Sequence, residues 1–199
     1  MALKFAVNNS LSAITSLPSG ISGGALNLIS TQIASASASL EFSLDDSYDS
    51  FIFKFIDIHP ATDNVTFQFN LSTDNGSNYN VTKTTTLFRT YHTEADDASA
   101  LEYRTGSDLA QSTSDQKLNG NVGGDNDQCV IGTLQIFNPS SNTFVKHFIA
   151  TTNVIKADNQ SQQKFIAGYG NTSSPINSII FRMSSGNIDD GIIKMYGVS

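Results

Sequence analysis

The chain has one cysteine, Cys129, and no tryptophan. A lone thiol cannot close an internal disulfide, so the fold is no disulfide scaffold. Charge is sparse as well: 15% of the residues are Asp, Glu, Lys or Arg, against roughly 25% in an average soluble domain. Basic residues number 11 against 18 acidic ones, a net charge of −7. No run of Lys and Arg stands ready to displace counterions from a nucleic acid, so that class of partner is not expected. The same balance argues against an anionic membrane surface, and the apolar runs are far too short for membrane insertion. The opening MALKFAVNNSLSAIT carries one Lys, and its apolar run breaks at Asn8 and Asn9. It reads as no secretory signal. Without such a signal, triplets such as Asn64-Val65-Thr66 and Asn80-Val81-Thr82 read as chance in an Asn/Thr-rich chain. No fixed-period repeat is present, which disfavours a propeller or solenoid.

What remains is a chain of 199 residues with 39% apolar content gathered in short Phe, Ile, Val and Leu runs. That is enough to bury a core without staples, and it excludes a disordered chain. Residues 1–32 form a Ser/Gly-rich stretch around Leu17-Pro18-Ser19-Gly20. It reads as an irregular N-terminal arm for attachment or assembly, with Ala25 to Ile29 as a turn of helix or a docking strand. Residues 33–199 read as the β-domain. Ala34 to Phe42 alternates, Phe51 to Ile58 is apolar on both faces, and Val65, Phe67, Phe69 and Leu71 alternate with polar residues. Asp74-Asn75-Gly76 predicts a tight hairpin turn leading into a strand over 79–91. Residues 93–126 break the pattern, with a helical turn over 94–101 and then a long polar loop of the kind that contacts partners. Further strands are expected near 128–137, 143–155, 162–169, 177–184 and 191–198. Roughly eight or nine strands and no substantial helix predict an all-β, antiparallel two-sheet sandwich, with the jelly roll as the favoured form. An immunoglobulin-like sandwich is the weaker alternative, lacking its Trp and Cys pair.

No motif points to catalysis. Gly20-Ile21-Ser22-Gly23-Gly24 matches G-x-S-x-G, but no strand feeds it. His59, His92 and His147 stand apart without a second ligand type at metal spacing, and read as structural. Asp45, Asp46 and Asp49, the run Asp125-Asn126-Asp127, and the pair Asp189-Asp190 could supply oxygen ligands to calcium. Ordinary turns use the same residues and are the preferred reading. Tyr79, Tyr91, Tyr103 and Tyr169 are the aromatic residues that could stack on a sugar. No catalytic residue, cofactor-binding residue or metal ligand is assigned from the sequence.

With the strands placed, three segments carry a resemblance. The opening MALKFAVNNSLSAIT, Phe88-Arg89-Thr90-Tyr91-His92, and Ile136-Phe137-Asn138-Pro139-Ser140-Ser141 resemble small proteins of tailed bacteriophages of marine bacteria. The final stretch, Met183 to Gly197, adds to the likeness. The resemblance spans nearly the whole chain, and it implies a virion structural protein, tail-associated (fibre or spike) or of the capsid decoration type, with no catalytic residue to carry over. Other virion proteins are the expected partners, and a homotrimer is the expected assembly. A glycan-binding module for host adhesion, built around an exposed Tyr with nearby Asp or Asn, is the alternative.

Overall fold

The computed structural model describes residues 26–199. Its strands, in chain order, are β1 (Asn27–Ser37), β2 (Leu40–Ser43), β3 (Ser50–Pro60), β4 (Phe67–Ser72), β5 (Lys83–Thr93), β6 (Ser99–Tyr103), β7 (Gln116–Lys117), β8 (Val130–Phe137), β9 (Lys146–Ile155), β10 (Gln160–Gly170), β11 (Ser178–Met183) and β12 (Ile188–Val198). The described residues contain no helix.

Successive side chains of a strand point to opposite faces, and the buried positions follow that period. Phe51, Phe53 and Phe55 of β3 are buried, as are Phe67, Phe69 and Leu71 of β4. Ile58 joins the β3 set because the register shifts between Phe55 and Ile58, where Asp57 adopts a φ of 51°. The extra residue is a bulge that re-aims the strand. The rings meet around Phe181 of β11, which lies 5.2 Å from Phe53, 5.2 Å from Phe55 and 6.1 Å from Phe42, centroid to centroid. Edge-on and tilted ring pairs of this kind add to the area they bury.

The strands form two antiparallel sheets in a sandwich. The large one has the order β1-β12-β3-β8-β9-β10-β5-β6, the small one β2-β11-β4-β7. Four pairings are nested: β1 with β12, β2 with β11, β3 with β8, and β4 with β7. Two excursions extend the large sheet, β5-β6 between β4 and β7, and β9-β10 between β8 and β11. Over this extension the small sheet gives way to the segment 104–122. Thr85 hydroxyl donates to Gln116 at 2.7 Å, and Thr152 hydroxyl to the Leu118 carbonyl at 2.7 Å.

Three sequence expectations change. Residues 27–32, placed with the arm by composition, are the first half of β1, an edge strand paired to β12; the rest of the arm lies outside the described residues. Asn75 and Gly76 do take positive φ, 58° and 83°, but the turn joins strands of different sheets rather than a hairpin. The reason is that β5 finds its partners in β10 and β6. Finally, 93–126 holds no helical turn. Thr93 and Ala98 close a tight turn, with the Thr93 hydroxyl accepting from the Asp97 and Ala98 amides, and β6 returns along β5. Later in the segment, β7 completes the small sheet.

Candidate functional site

The edge of the large sheet is the first place where the chain offers itself to a partner. β1 reads NLISTQIASAS, eleven residues without a charge or a proline. Among the described residues it pairs with β12 alone, so its other edge carries unpaired backbone groups. Leu28 and Ile33 are exposed there, Ile33 to 66%. Proteins that avoid edge pairing blunt such strands with charge, proline or bulges. β1 has one register shift, at Leu28/Ser30, and none of the other devices.

The outer face of the large sheet continues the theme. One registered row runs Tyr196, Ile52, Gln135, Ile149, Ala167 and Thr86 from β12 to β5. The next row carries Lys194 and Lys54, then Thr133, Thr151, Phe165 and Phe88, the last two rings stacked at 4.8 Å. Neither row contains a carboxylate. Between β5, β10 and β9 this face dips into a groove of about 440 Å³ over Gly168, walled by Tyr169, His147, Ile149, Thr84 and Thr86. Gly168 itself turns to the covered face, where a Cβ would stand 2.5 Å from Thr85 Cγ2 and 3.0 Å from Phe148 Cζ, so close packing of the core requires the glycine.

The residues singled out from the sequence fall in several places. Gly20 to Gly24 lies outside the described residues. The histidines sit in unlike settings: His59 Nδ1 donates to the Gln128 carbonyl at 2.7 Å, His92 meets Asp96 at 3.0 Å on the surface, and the His147 ring lies 5.9 Å from that of Tyr169. Two of the acidic groups do come together: Asp127, before β8, and Asp189-Asp190, at the start of β12, line one polar cavity with Asp57, His59 and Cys129. Burial, then the Asp57 carboxylate 3.9 Å away, push the Cys129 thiol up in pKa. Among the described residues no three His, Cys, Asp or Glu side chains are grouped closely enough to hold a metal ion. Asp45, Asp46 and Asp49 stay in the loop between β2 and β3, where Asp45 accepts from the Ser47 amide at 3.1 Å.

Of the tyrosines, Tyr79 is engaged with Glu41 and Ser178 at 3.0 and 2.8 Å. Burial first, and then Glu41, raise its pKa against the opposing hydrogen bond to Ser178. Tyr91 lies beneath Arg89, 4.8 Å from ring to guanidinium. Tyr103 is half exposed and donates to Asp108 at 2.7 Å. Tyr169 alone among them lines the groove over Gly168.

A basic cluster is what the sequence did not disclose. Arg89, Arg104, Lys117 and Lys164 line one small cavity. They come from three strands and a loop, so no local run announces them; only the register of β10 with β5 sets Lys164 beside Arg89. Comparison of the chain with protein-family models, curated proteins and solved structures finds no match.

Proposed function

We propose that this chain is a non-enzymatic structural protein of the outer surface of a tailed-phage virion, assembling with copies of itself through the β1 edge. The observation that carries the reading is β1 itself: a long strand, uncharged, with exposed aliphatic side chains, and among the described residues an edge with unpaired backbone. The two carboxylate-free rows of the outer face support the same reading, since a chain of net charge −7 must otherwise bring like charges together on self-association. The nested strand pairing supports a jelly roll extended on one side, an architecture whose paired sheets leave few edges open. The phage assignment itself rests on the sequence resemblance. Closed symmetry limits the copy number, and a homotrimer is the state expected.

The test is the mass of the purified chain in solution, for the full chain, for a deletion of residues 1–26, and for Ile33→Lys. A trimer that survives deletion and falls to monomer in Ile33→Lys supports assembly through β1. A full chain that stays monomeric at about 100 μM, well above the Kd of a stable assembly, sinks it.

A second reading, glycan binding for host adhesion, is favoured by the groove over Gly168. An aromatic wall, a histidine and threonine hydroxyls suit a neutral sugar ring. Retention on immobilised glycans that is abolished by Tyr169→Ala would support it.

A further inference from the structure

Four of the chain's 11 basic residues converge on one cavity of about 150 Å³ between the large sheet and the segment 104–121. Arg89 of β5 and Lys164 of β10 are cross-strand partners on the covered face of the large sheet. Lys117 closes β7, and Arg104 follows β6. Like charges directly opposite each other destabilise a sheet, so something must offset them. Glu102 does so in part, accepting from Arg89 at 2.6 Å and from Arg104 at 3.3 Å. Lys117 donates to the Gly106 carbonyl at 2.8 Å. Lys156, the next cation along, is held by Asp158 at 2.8 Å and Gln160 at 3.2 Å.

Lys164 has nothing. It is 96% buried, and among the described residues its ammonium has neither a hydrogen-bond acceptor nor a carboxylate within reach, yet it lines the cavity. Gly120 leaves the space beside it open: a Cβ there would stand 3.5 Å from Lys164 Nζ and 3.6 Å from Thr66 Oγ1. A buried cation without a counter-charge is a large penalty. Burial first, and then the neighbouring Lys117, Arg89, Arg104 and Lys156, lower its pKa to about 7.

We propose that this cavity is an oxyanion site that takes a single sulfate or phosphate group, with Lys164 and Arg104 as its principal charges. Cationic side chains around a small recess are the usual means of holding such a group. A cavity of this size takes one anionic group with a few waters, each of about 30 Å³, so a larger ligand projects outward past Arg104. The group is either a free anion or the ester of an acidic glycan. The inference is independent of the virion reading, because it concerns a different face from β1.

The experiment is calorimetric titration of the full chain with sodium sulfate, sodium phosphate, galactose 6-sulfate and galactose, each against sodium chloride at matched ionic strength. Saturable one-to-one binding of sulfate is expected, weakened about tenfold or more by Arg104→Ala and by Gly120→Ala, a loss of about 1.4 kcal/mol or more. Gly120→Ala makes only ordinary contacts, so it sets a methyl group beside Lys164 Nζ without breaking the fold. Sulfate stays a dianion from pH 6.5 to 8.5, so its tighter binding at the lower pH reports charge gained on Lys164. Galactose 6-sulfate binding more tightly than sulfate identifies a glycan ester; equal affinity identifies a free anion. Heats no different from sodium chloride, or affinities unmoved by both variants, overturn the site.

Discussion

Asp115 grips Arg182 through both carboxylate oxygens, at 2.8 Å to Nε and 3.0 Å to Nη2. The same carboxylate accepts from Gln68 at 2.6 Å and from Asn70 at 2.8 Å. It therefore ties the segment before β7 to two strands of the small sheet. Removing it leaves Gln68 and the charged Arg182 without their acceptor and leaves Asn70 with the Thr113 carbonyl alone. Asp115→Ala is expected to lower stability by about 3 kcal/mol, read as a shifted urea midpoint at unchanged slope. A loss within about 0.5 kcal/mol, as at an ordinary surface position, would mean the segment is held by other contacts.

That tether explains why the middle of the chain was the hardest part to read. The period-two pattern marks β3, β4, β8, β9, β10, β11 and β12 to within a few residues, because one face of each is buried. β6 and β7 are short and polar: Ser99–Tyr103 alternates exposed and half-buried positions, and Gln116–Lys117 is a two-residue strand. Their place is set by pairing with β5 and β4, which leaves no local signal. The Asn75-Gly76 signal was sound for the turn and silent on which sheet the chain entered next. At the candidate sites the division is the same. β1 lacks charge on its face, so its sequence discloses an unprotected edge once it is known to be one. The basic cavity required the register.

Phe181 is the hinge of the aromatic core, touching rings on β2, β3 and β4. It is fully buried. Truncation leaves a cavity that five surrounding phenylalanines, fixed on three paired strands, cannot easily close. Phe181→Ala is expected to cost about 4 kcal/mol, and Phe181→Leu less than half of that. A Phe181→Ala loss below about 2 kcal/mol would place the site outside a rigid core.

Lys83 and Lys164 are both buried, and burial lowers their pKa values to about 8 and about 7 from an ordinary 10.5. Between those values and 10.5 the unfolded chain binds more protons than the folded one, so stability rises with pH across that window. Below pH 7 the penalty is present in full. Above pH 10 the trend turns, because the raised phenols of Tyr79 and Tyr103 resist ionising in the fold. The two lysines separate on substitution. Lys164→Met is expected to gain about 2 kcal/mol at pH 6 and to flatten the rise. Lys83→Met is expected to lose stability at every pH, since the Val81 carbonyl forfeits its donor and Asn70 Oδ1 one of its two. Melting curves from pH 6 to 10 decide it. A Lys164→Met profile that keeps the slope of the parent would assign the rise to other groups.

Cys129 and Asp57 offer a chemical readout of the polar cavity. The thiol is half-buried, and its raised pKa comes from burial first and from the Asp57 carboxylate second. The thiolate is the reactive form, so Cys129 is expected to react with a small disulfide reagent more slowly than free cysteine at pH 8. Asp57→Asn removes the charge and leaves the burial. Asparagine tolerates the φ of 51° that the bulge imposes, so the strand keeps its shape. The rate should then rise about two- to fivefold, the effect of a modest fall in thiol pKa. If instead the rate is unchanged while the melting temperature holds, burial alone governs the thiol, and the carboxylate is screened by the water of the cavity.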